Sequence, residues 1–433
     1  MKYISTRDKN LKVSFEQAVK QGLAPNKGLF MPENYIKLPA EFWANLFDMT
    51  LPEIGYYVGK EYVGDEIPDE DFKKLCQEVL NFEIPLVGVK DKIYSLELFH
   101  GPTCAFKDVG ARFMARCLGY FSSRKNEKTV ILVATSGDTG SAVANGFLNV
   151  PGVDVIILYP SGKVSEIQEK QLTTNGGNIT ALEVNGVFDD CQALVKTAFA
   201  NFDTQGKFKL TSANSINIAR LIPQSFYYYY AVKQVKSYES VICVPSGNFG
   251  NITGGVLALK SGLPVKHFVA ATNANDTVPQ YLQTGVYTPK PSVQTISNAM
   301  DVGDPSNFER LDMIFSHSSK EFGATISSYS FSDEMTKKKM NVVYQEYGYM
   351  LDPHGAVGML GIEKYLRDNA PDSPGIFLET AHPAKFLDVV KSAVNTEPVL
   401  PEALKKCLDK PKTSIKIEND YKELEKILSE RYL

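Results

Sequence analysis

The sequence reads as an α/β protein built on two mostly parallel-sheet domains, with a mainly helical extension at the N-terminus. Three observations carry that reading. Short apolar, β-branched runs recur through the middle of the chain, most followed by a turn and a helical pattern. The length of 433 residues exceeds what one small core organises and indicates two domains, or three with a minor extension. The first ninety or so residues differ, with helical periodicity, proline-rich joins and no repeated strand signal.

In the extension, 14–21, 41–46 and 71–80 read as helices. Residues 129–135 are the first buried-strand run, followed by Ser-Gly-Asp-Thr-Gly and a helix over 141–149. A second run, 153–160, leads through Ser-Gly-Lys to a polar helix at 166–172. Residues 178–184 read as strand and 189–201 as helix. The run 241–245 is strand again, passing through Ser-Gly-Asn-Phe-Gly-Asn into a helix that reaches Ala258. Further strands fall at 267–271 and 375–378. Strands this apolar are covered on both faces, as parallel strands alternating with helices are. Tyr227 to Tyr230 read as part of a partly buried helix, and 420–432 as an exposed one. The division expected is 1–92 for the extension, 93–235 for the first α/β domain and 236–433 for the second with the C-terminal helices.

Bulk properties exclude several functions. Forty-six basic against fifty acidic side chains leave a net charge of -4. With no long basic run, that argues against nucleic acid as a partner. The apolar runs are strand-length and far too short for a bilayer, and the first residues lack a signal-peptide pattern. Six cysteines without CxxC pairing read as reduced thiols, which places the chain in the cytoplasm. The five histidines show no ligand spacing, so no metal is expected.

Chemistry concentrates in three segments. Lys107 lies between Phe106 and Val109 in a stretch with little other charge. Partial desolvation lowers a lysine pKa and frees the neutral amine that Schiff-base chemistry needs, although a buried, paired lysine fits the local sequence too. Ser136-Gly-Asp-Thr-Gly140 and Ser246-Gly-Asn-Phe-Gly-Asn251 each follow a buried strand and precede a helix. Glycine turns there let backbone N–H groups surround an anion at a helix N-terminus. Neither turn has the GxGxxG dinucleotide pattern, and the Walker GxxxxGK[ST] form is absent.

Together with Ala105-Phe-Lys-Asp108, these turns resemble the fold type II (tryptophan-synthase-like) pyridoxal-phosphate family, and within it the threonine synthase family. The resemblance spans nearly the whole chain. It takes in Tyr3-Ile-Ser-Thr-Arg7, Gln21-Gly-Leu-Ala-Pro25, Asn214-Ser-Ile-Asn217 and Asn273-Ala-Asn-Asp-Thr-Val-Pro279. It continues through Pro305-Ser-Asn-Phe-Glu-Arg310 and Asp352-Pro-His-Gly-Ala-Val-Gly358 to Thr380-Ala-His-Pro-Ala-Lys-Phe386.

The resemblance implies pyridoxal 5'-phosphate bound between the two domains, on Lys107, which then serves as acid and base. Gly247, Asn248, Phe249, Gly250 and Asn251 would cradle the cofactor phosphate, Thr380 would face the pyridine nitrogen and Asp138 would lie near the phenolic oxygen. Ser136 and Thr139 would take the substrate carboxylate. Lys163, Ser215 and Arg220 would hold a substrate phosphate, arginine as a planar fork and lysine as a point charge. His354 and His382 read as packed, hydrogen-bonded histidines. The implied activity is a carbon–oxygen lyase making L-threonine and phosphate from O-phospho-L-homoserine and water, by a monomer or homodimer. The rival readings are a dehydratase or β-replacement enzyme of the same fold type, or a non-catalytic relative; the first lacks need of the phosphate set, the second of Lys107.

Overall fold

The computed structural model describes residues 1–125, 128–135 and 137–433, with the side chain of residue 125 outside the description. Among them the chain forms fourteen strands. The first five are β1 (Tyr3–Ser5), β2 (Asp8–Val13), β3 (Phe30–Pro32), β4 (Leu86–Lys90) and β5 (Ile93–Glu97). The central group is β6 (Thr129–Ala134), β7 (Val153–Pro160), β8 (Ile179–Asn185) and β9 (Lys209–Thr211). The last five are β10 (Val241–Pro245), β11 (His267–Thr272), β12 (Ile326–Ser330), β13 (Gly375–Glu379) and β14 (Ile415–Glu418).

Two larger sheets organise the molecule. One has the order β12-β11-β10-β13-β5-β4, parallel except for the antiparallel β4–β5 edge. The other, β14-β8-β7-β6-β9, is parallel throughout. The runs in these strands are continuously apolar because alternate residues enter different cores. Along β6, Ile131 and Val133 join the main core. Val130 and Leu132 face the opposite way, onto a core completed by Leu194, Leu424 and Leu428. In β10, Ile242 and Val244 point to the main core and Val241 and Cys243 to another. Neither face is left for water, so period-2 alternation disappears.

The extension contains strands that its sequence does not announce. β1, β2 and β3 form a small antiparallel sheet, β2-β1-β3. β1 and β3 have three residues each, and β2, Asp-Lys-Asn-Leu-Lys-Val, is exposed or half-buried along its length, so no apolar run marks them. Sheet membership also crosses the division drawn from the sequence. β4 and β5 extend the sheet that contains β10 and β13, while β14 returns from the C-terminus to pair with β8. The tyrosine run lies in the helix Phe226–Val235, with Tyr227, Tyr228 and Tyr229 buried.

Candidate active site

The two glycine turns sit at the carboxyl ends of β6 and β10, and the Lys107 segment follows β5 beside the end of β13; such strand ends are where parallel α/β sheets place ligands. Two of these ends bring Lys107 and Thr380 together. After β13, the Phe106 N–H donates to the Thr380 carbonyl at 2.8 Å, Ala105 bridges Ala381, and the His382 N–H donates to the Cys104 carbonyl at 3.1 Å. Lys107 follows at once, as the first residue of the helix Lys107–Lys125. Tyr227 fixes the same segment by donating to the Phe106 carbonyl at 2.5 Å. Thr380 is buried, and its hydroxyl makes no hydrogen bond to protein among the described residues.

Lys107 is half-buried, and its desolvation pushes the amine down to about 8. Asp138 opposes that fall, whereas Arg220 and Lys385 reinforce it. Asp138 opens the helix Asp138–Phe147. Burial alone would raise its carboxyl; the charges of Lys385 and Lys107, with hydrogen bonds from Lys385 and Gln168, hold it well below the usual carboxylate range. The preceding turn is closed by the Thr135 hydroxyl, which accepts from the Gly137 N–H at 3.1 Å and the Gly140 N–H at 2.9 Å. Thr139 is half-buried on this turn. Ser136 lies outside the described residues.

The turn after β10 is a rigid cradle. A Cβ at Gly247 would stand 2.6 Å from the Met300 Cα, so only glycine allows this close backbone approach. Phe249 takes a left-handed φ of 59°, and the helix Gly250–Lys260 begins directly behind it. Asn248 braces the cradle on three sides. Its Nδ2 donates to Ser215 Oγ at 2.8 Å, its Oδ1 accepts from the Ser306 N–H at 2.6 Å, and its carbonyl accepts from Asn307 Nδ2 at 3.1 Å. Asn251 accepts from the Tyr228 hydroxyl through Oδ1 at 2.7 Å, leaving a buried Nδ2 donor that no described protein group satisfies.

Arg220 is a buried cation beside Lys107. Its Nη1 donates to the Ala213 carbonyl at 2.5 Å, its Nε is buried without a partner, and it makes no ion pair among the described residues. Burial pushes its guanidinium down to about 10, with Tyr227 and Asp108 opposing. Ser215 joins this region through Asn248. Lys163 is exposed on the turn after β7, with no side-chain hydrogen bond or ion pair among the described residues.

Three further residues organise the site, each within a segment that carries the resemblance but given no role by it. Arg310, fully buried, donates to the Phe30 carbonyl at 3.0 Å, the Ile216 carbonyl at 2.6 Å and Asn307 Oδ1 at 2.7 Å. One guanidinium thus ties the extension, the Asn214–Asn217 segment and the Pro305–Arg310 segment together. Asp108 accepts from the Thr103 N–H at 2.9 Å and the Thr103 hydroxyl at 2.5 Å, holding the turn before Lys107. Lys385 lies within Thr380–Phe386, flanked by Ala384 and Phe386. A lysine in apolar company is the signal that marks Lys107, and the same signal is present here. Of the histidines, His354 pairs with Asp352 at 2.5 Å and accepts from the Ala299 N–H at 3.3 Å. His382 accepts from the Ala384 N–H at 3.1 Å, and burial pushes it down to about 4. Both are packed, hydrogen-bonded residues. No cluster of three or more His, Cys, Asp or Glu among the described residues could hold a metal ion.

A half-buried lysine of lowered pKa, a glycine cradle on a helix N-terminus and a parallel α/β frame define a pyridoxal-phosphate-dependent enzyme. Residues 80–376 match the family model described as pyridoxal-phosphate dependent enzyme; residues 2–80 and 355–428 match the threonine synthase N-terminus and C-terminal models. The chain belongs to the threonine synthase family. It is 43% identical to the threonine synthase of Haemophilus influenzae over 95% of this chain and 96% of that protein. The crystal structure of threonine synthase from Escherichia coli superposes with a TM-score of 0.90 at 42% identity, covering both chains completely. The pyridoxal-phosphate-bound threonine synthase from Brucella melitensis gives a TM-score of 0.93 at 35% identity, over 100% of this chain and 99% of that one.

The residues present fit the cofactor. The cradle offers backbone N–H groups, a helix N-terminus and the open Asn251 Nδ2 to a phosphate, and Lys107 offers an amine that is partly neutral near pH 7.

Proposed function

We propose that the enzyme converts O-phospho-L-homoserine and water to L-threonine and phosphate, with Lys107 holding the cofactor and Arg220 gripping the substrate phosphate. The observation that carries this reading is Arg220: a buried guanidinium beside Lys107, with an open Nε and no carboxylate partner, suits an anion supplied by the substrate. Ser215, hydrogen-bonded to the cradle through Asn248, would add a hydroxyl to the same phosphate. Lys163 would be the outer cation of the set.

In this reading Gly247 to Asn251 hold the cofactor phosphate, and Thr380 presents an uncommitted hydroxyl to the ring nitrogen, which does not force protonation as a carboxylate would. The cofactor, when bound, supplies an electron sink for charge developing at the substrate Cα. Lys107 takes the Cα proton, and a Cβ proton leaves before phosphate departs from Cγ. Arg220 and Ser215 hold the phosphate as its charge develops, stabilising that step more than the ground state. A proton is returned at Cγ, water delivers a hydroxyl to Cβ, and a proton is returned at Cα. Ser136 and Thr139 would orient the substrate carboxylate. Residues 93–235 and 236–433 would form the two walls of the site, and the working unit would be a monomer or homodimer with small-molecule partners and no nucleic acid. No helix among the described residues is long and apolar enough to cross a membrane. Six free cysteines, five of them buried, suit a reducing cytoplasm.

Phosphate release with equimolar threonine from O-phosphohomoserine tests the proposal, and 2-oxo acid formation in its place would transfer the chain to dehydratase chemistry. The purified protein should also be yellow, and borohydride should fix the cofactor on one lysine. Peptide mass spectrometry is expected to locate it on Lys107; an adduct on any other lysine would overturn the assignment.

Gly250→Val should weaken cofactor retention more than folding. A Cβ at Gly250 already meets Asn307 Nδ2 at 3.2 Å, and the added methyls would crowd an anion held by the cradle. Dialysis followed by a cofactor titration checks this, with thermal unfolding of the apoprotein as the control.

A further inference from the structure

Lys385 carries a charge into a place where charge is costly. It lies in the short helical turn Pro383–Phe386 after β13, its side chain fully buried, with Nζ 2.7 Å from Asp138 Oδ1. Nζ also donates to the Thr103 carbonyl at 3.0 Å, which Gln171 Nε2 reaches at 3.1 Å. Thr103 in turn grips Asp108, the neighbour of Lys107 in the chain. Gln168 Nε2 donates to the same Asp138 oxygen at 3.2 Å. A buried ion pair of this kind adds little stability over a well-packed apolar pair, so fold stability alone gives weak reason for it.

We infer that Lys385 is a positioning residue of the reaction: it engages Asp138 in an ion pair, so that the carboxylate does not neutralise Lys107 as a simple counter-ion would. The inference rests on Lys107 being the cofactor lysine. Around Lys107 the charged groups are Asp138, Arg220 and Lys385. Around Lys385, besides Asp138 and Lys107, the titratable groups are Asp108, Cys104, Cys407 and His382. One carboxylate therefore stands between two lysines. With Lys385 present it is shared; without Lys385 it falls to Lys107 alone, whose nitrogen would hold its proton more tightly. Asp138 would then act as a proton clamp where a proton must move. The arrangement also answers how an acidic side chain could stand close to the cofactor's phenolic oxygen: its charge would already be matched by Lys385.

The two partners predict shifts of opposite sign, which a merely structural pair would not. The pH titration of visible absorbance in the holoenzyme reads the proton on the Lys107 nitrogen. In Lys385→Met its midpoint should rise by about one pH unit. In Asp138→Asn it should fall. In the double variant, where both charges are gone, it should lie at or below the native value, because Asp138 acts on Lys107 more strongly than Lys385 does. The acid limb of kcat should follow the same order. An unmoved midpoint in Lys385→Met with the cofactor retained, or single variants shifting in one direction, would overturn the inference. Should Lys385→Met fail to fold, the double variant decides: recovery of fold and midpoint supports the role, while an equal loss makes Lys385 a brace for Thr103 and nothing more. A native borohydride adduct on a different lysine would remove the premise, and that result is separable from the titrations.

Discussion

Lys107→Ala is expected to abolish threonine formation, by about 10³-fold or more, because one side chain is both the cofactor's attachment and the base. Removing the amine relieves a desolvated group, so the fold should persist with unchanged thermal unfolding of the apoprotein. Cofactor would be held by the cradle alone, more weakly and without the native absorbance. The pH dependence of the parent enzyme belongs to the same argument. Burial lowers the amine to about 8, so the neutral, proton-accepting fraction grows with pH, reaches half at about 8 and nears completion only well above it. A kcat limited by that fraction should therefore rise through this range and level off. Substantial turnover by carefully separated Lys107→Ala protein would mean that another residue is the base.

Arg220→Leu should cost kcat/KM for O-phosphohomoserine about 2–5 kcal/mol, or roughly 30- to 5000-fold, by removing a charge-assisted contact to a buried anion. The Leu side chain suits the buried site, although the Ala213 carbonyl loses its donor. The cofactor spectrum should stay native, since Lys107 and the Gly247–Asn251 cradle are untouched. Inhibition by phosphate-bearing analogues should weaken in parallel, while binding of an unphosphorylated amino acid barely changes. Equal losses for both ligand types would assign Arg220 to the carboxylate or to domain geometry.

Much of the fold and of the site is legible in the amino-acid sequence, for identifiable reasons. β7 and β10 run over the residues their apolar stretches mark, because a strand buried on both faces must be apolar throughout. The glycine turns are legible because backbone that approaches an anion or a neighbouring chain closely tolerates little else, as the 2.6 Å contact at Gly247 demonstrates. Lys107 stands out because it and Asp108 are set between Phe106 and Val109 in a stretch with little other charge. By contrast, β1 and β3 are too short, and β2 too exposed, to leave a periodic trace. Lys163 matches a motif, yet a motif fixes only chain position; its side chain is exposed on the turn.

What the sequence by itself determined, then, is where the long buried strands, their turns and the following helices lie, and which residue types are available for chemistry, since local sterics and burial write those into adjacent positions. What only the tertiary structure decided is which distant residues share a charge. Asp138 and Lys385 are 2.7 Å apart across hundreds of residues, and Arg310 joins carbonyls of Phe30 and Ile216. Such pairings depend on sheet order and on the return of β13 beside β5, and no local pattern encodes them. Electrostatics in a buried site is a property of assembled neighbours, so the proton affinity of Lys107 belongs to the fold.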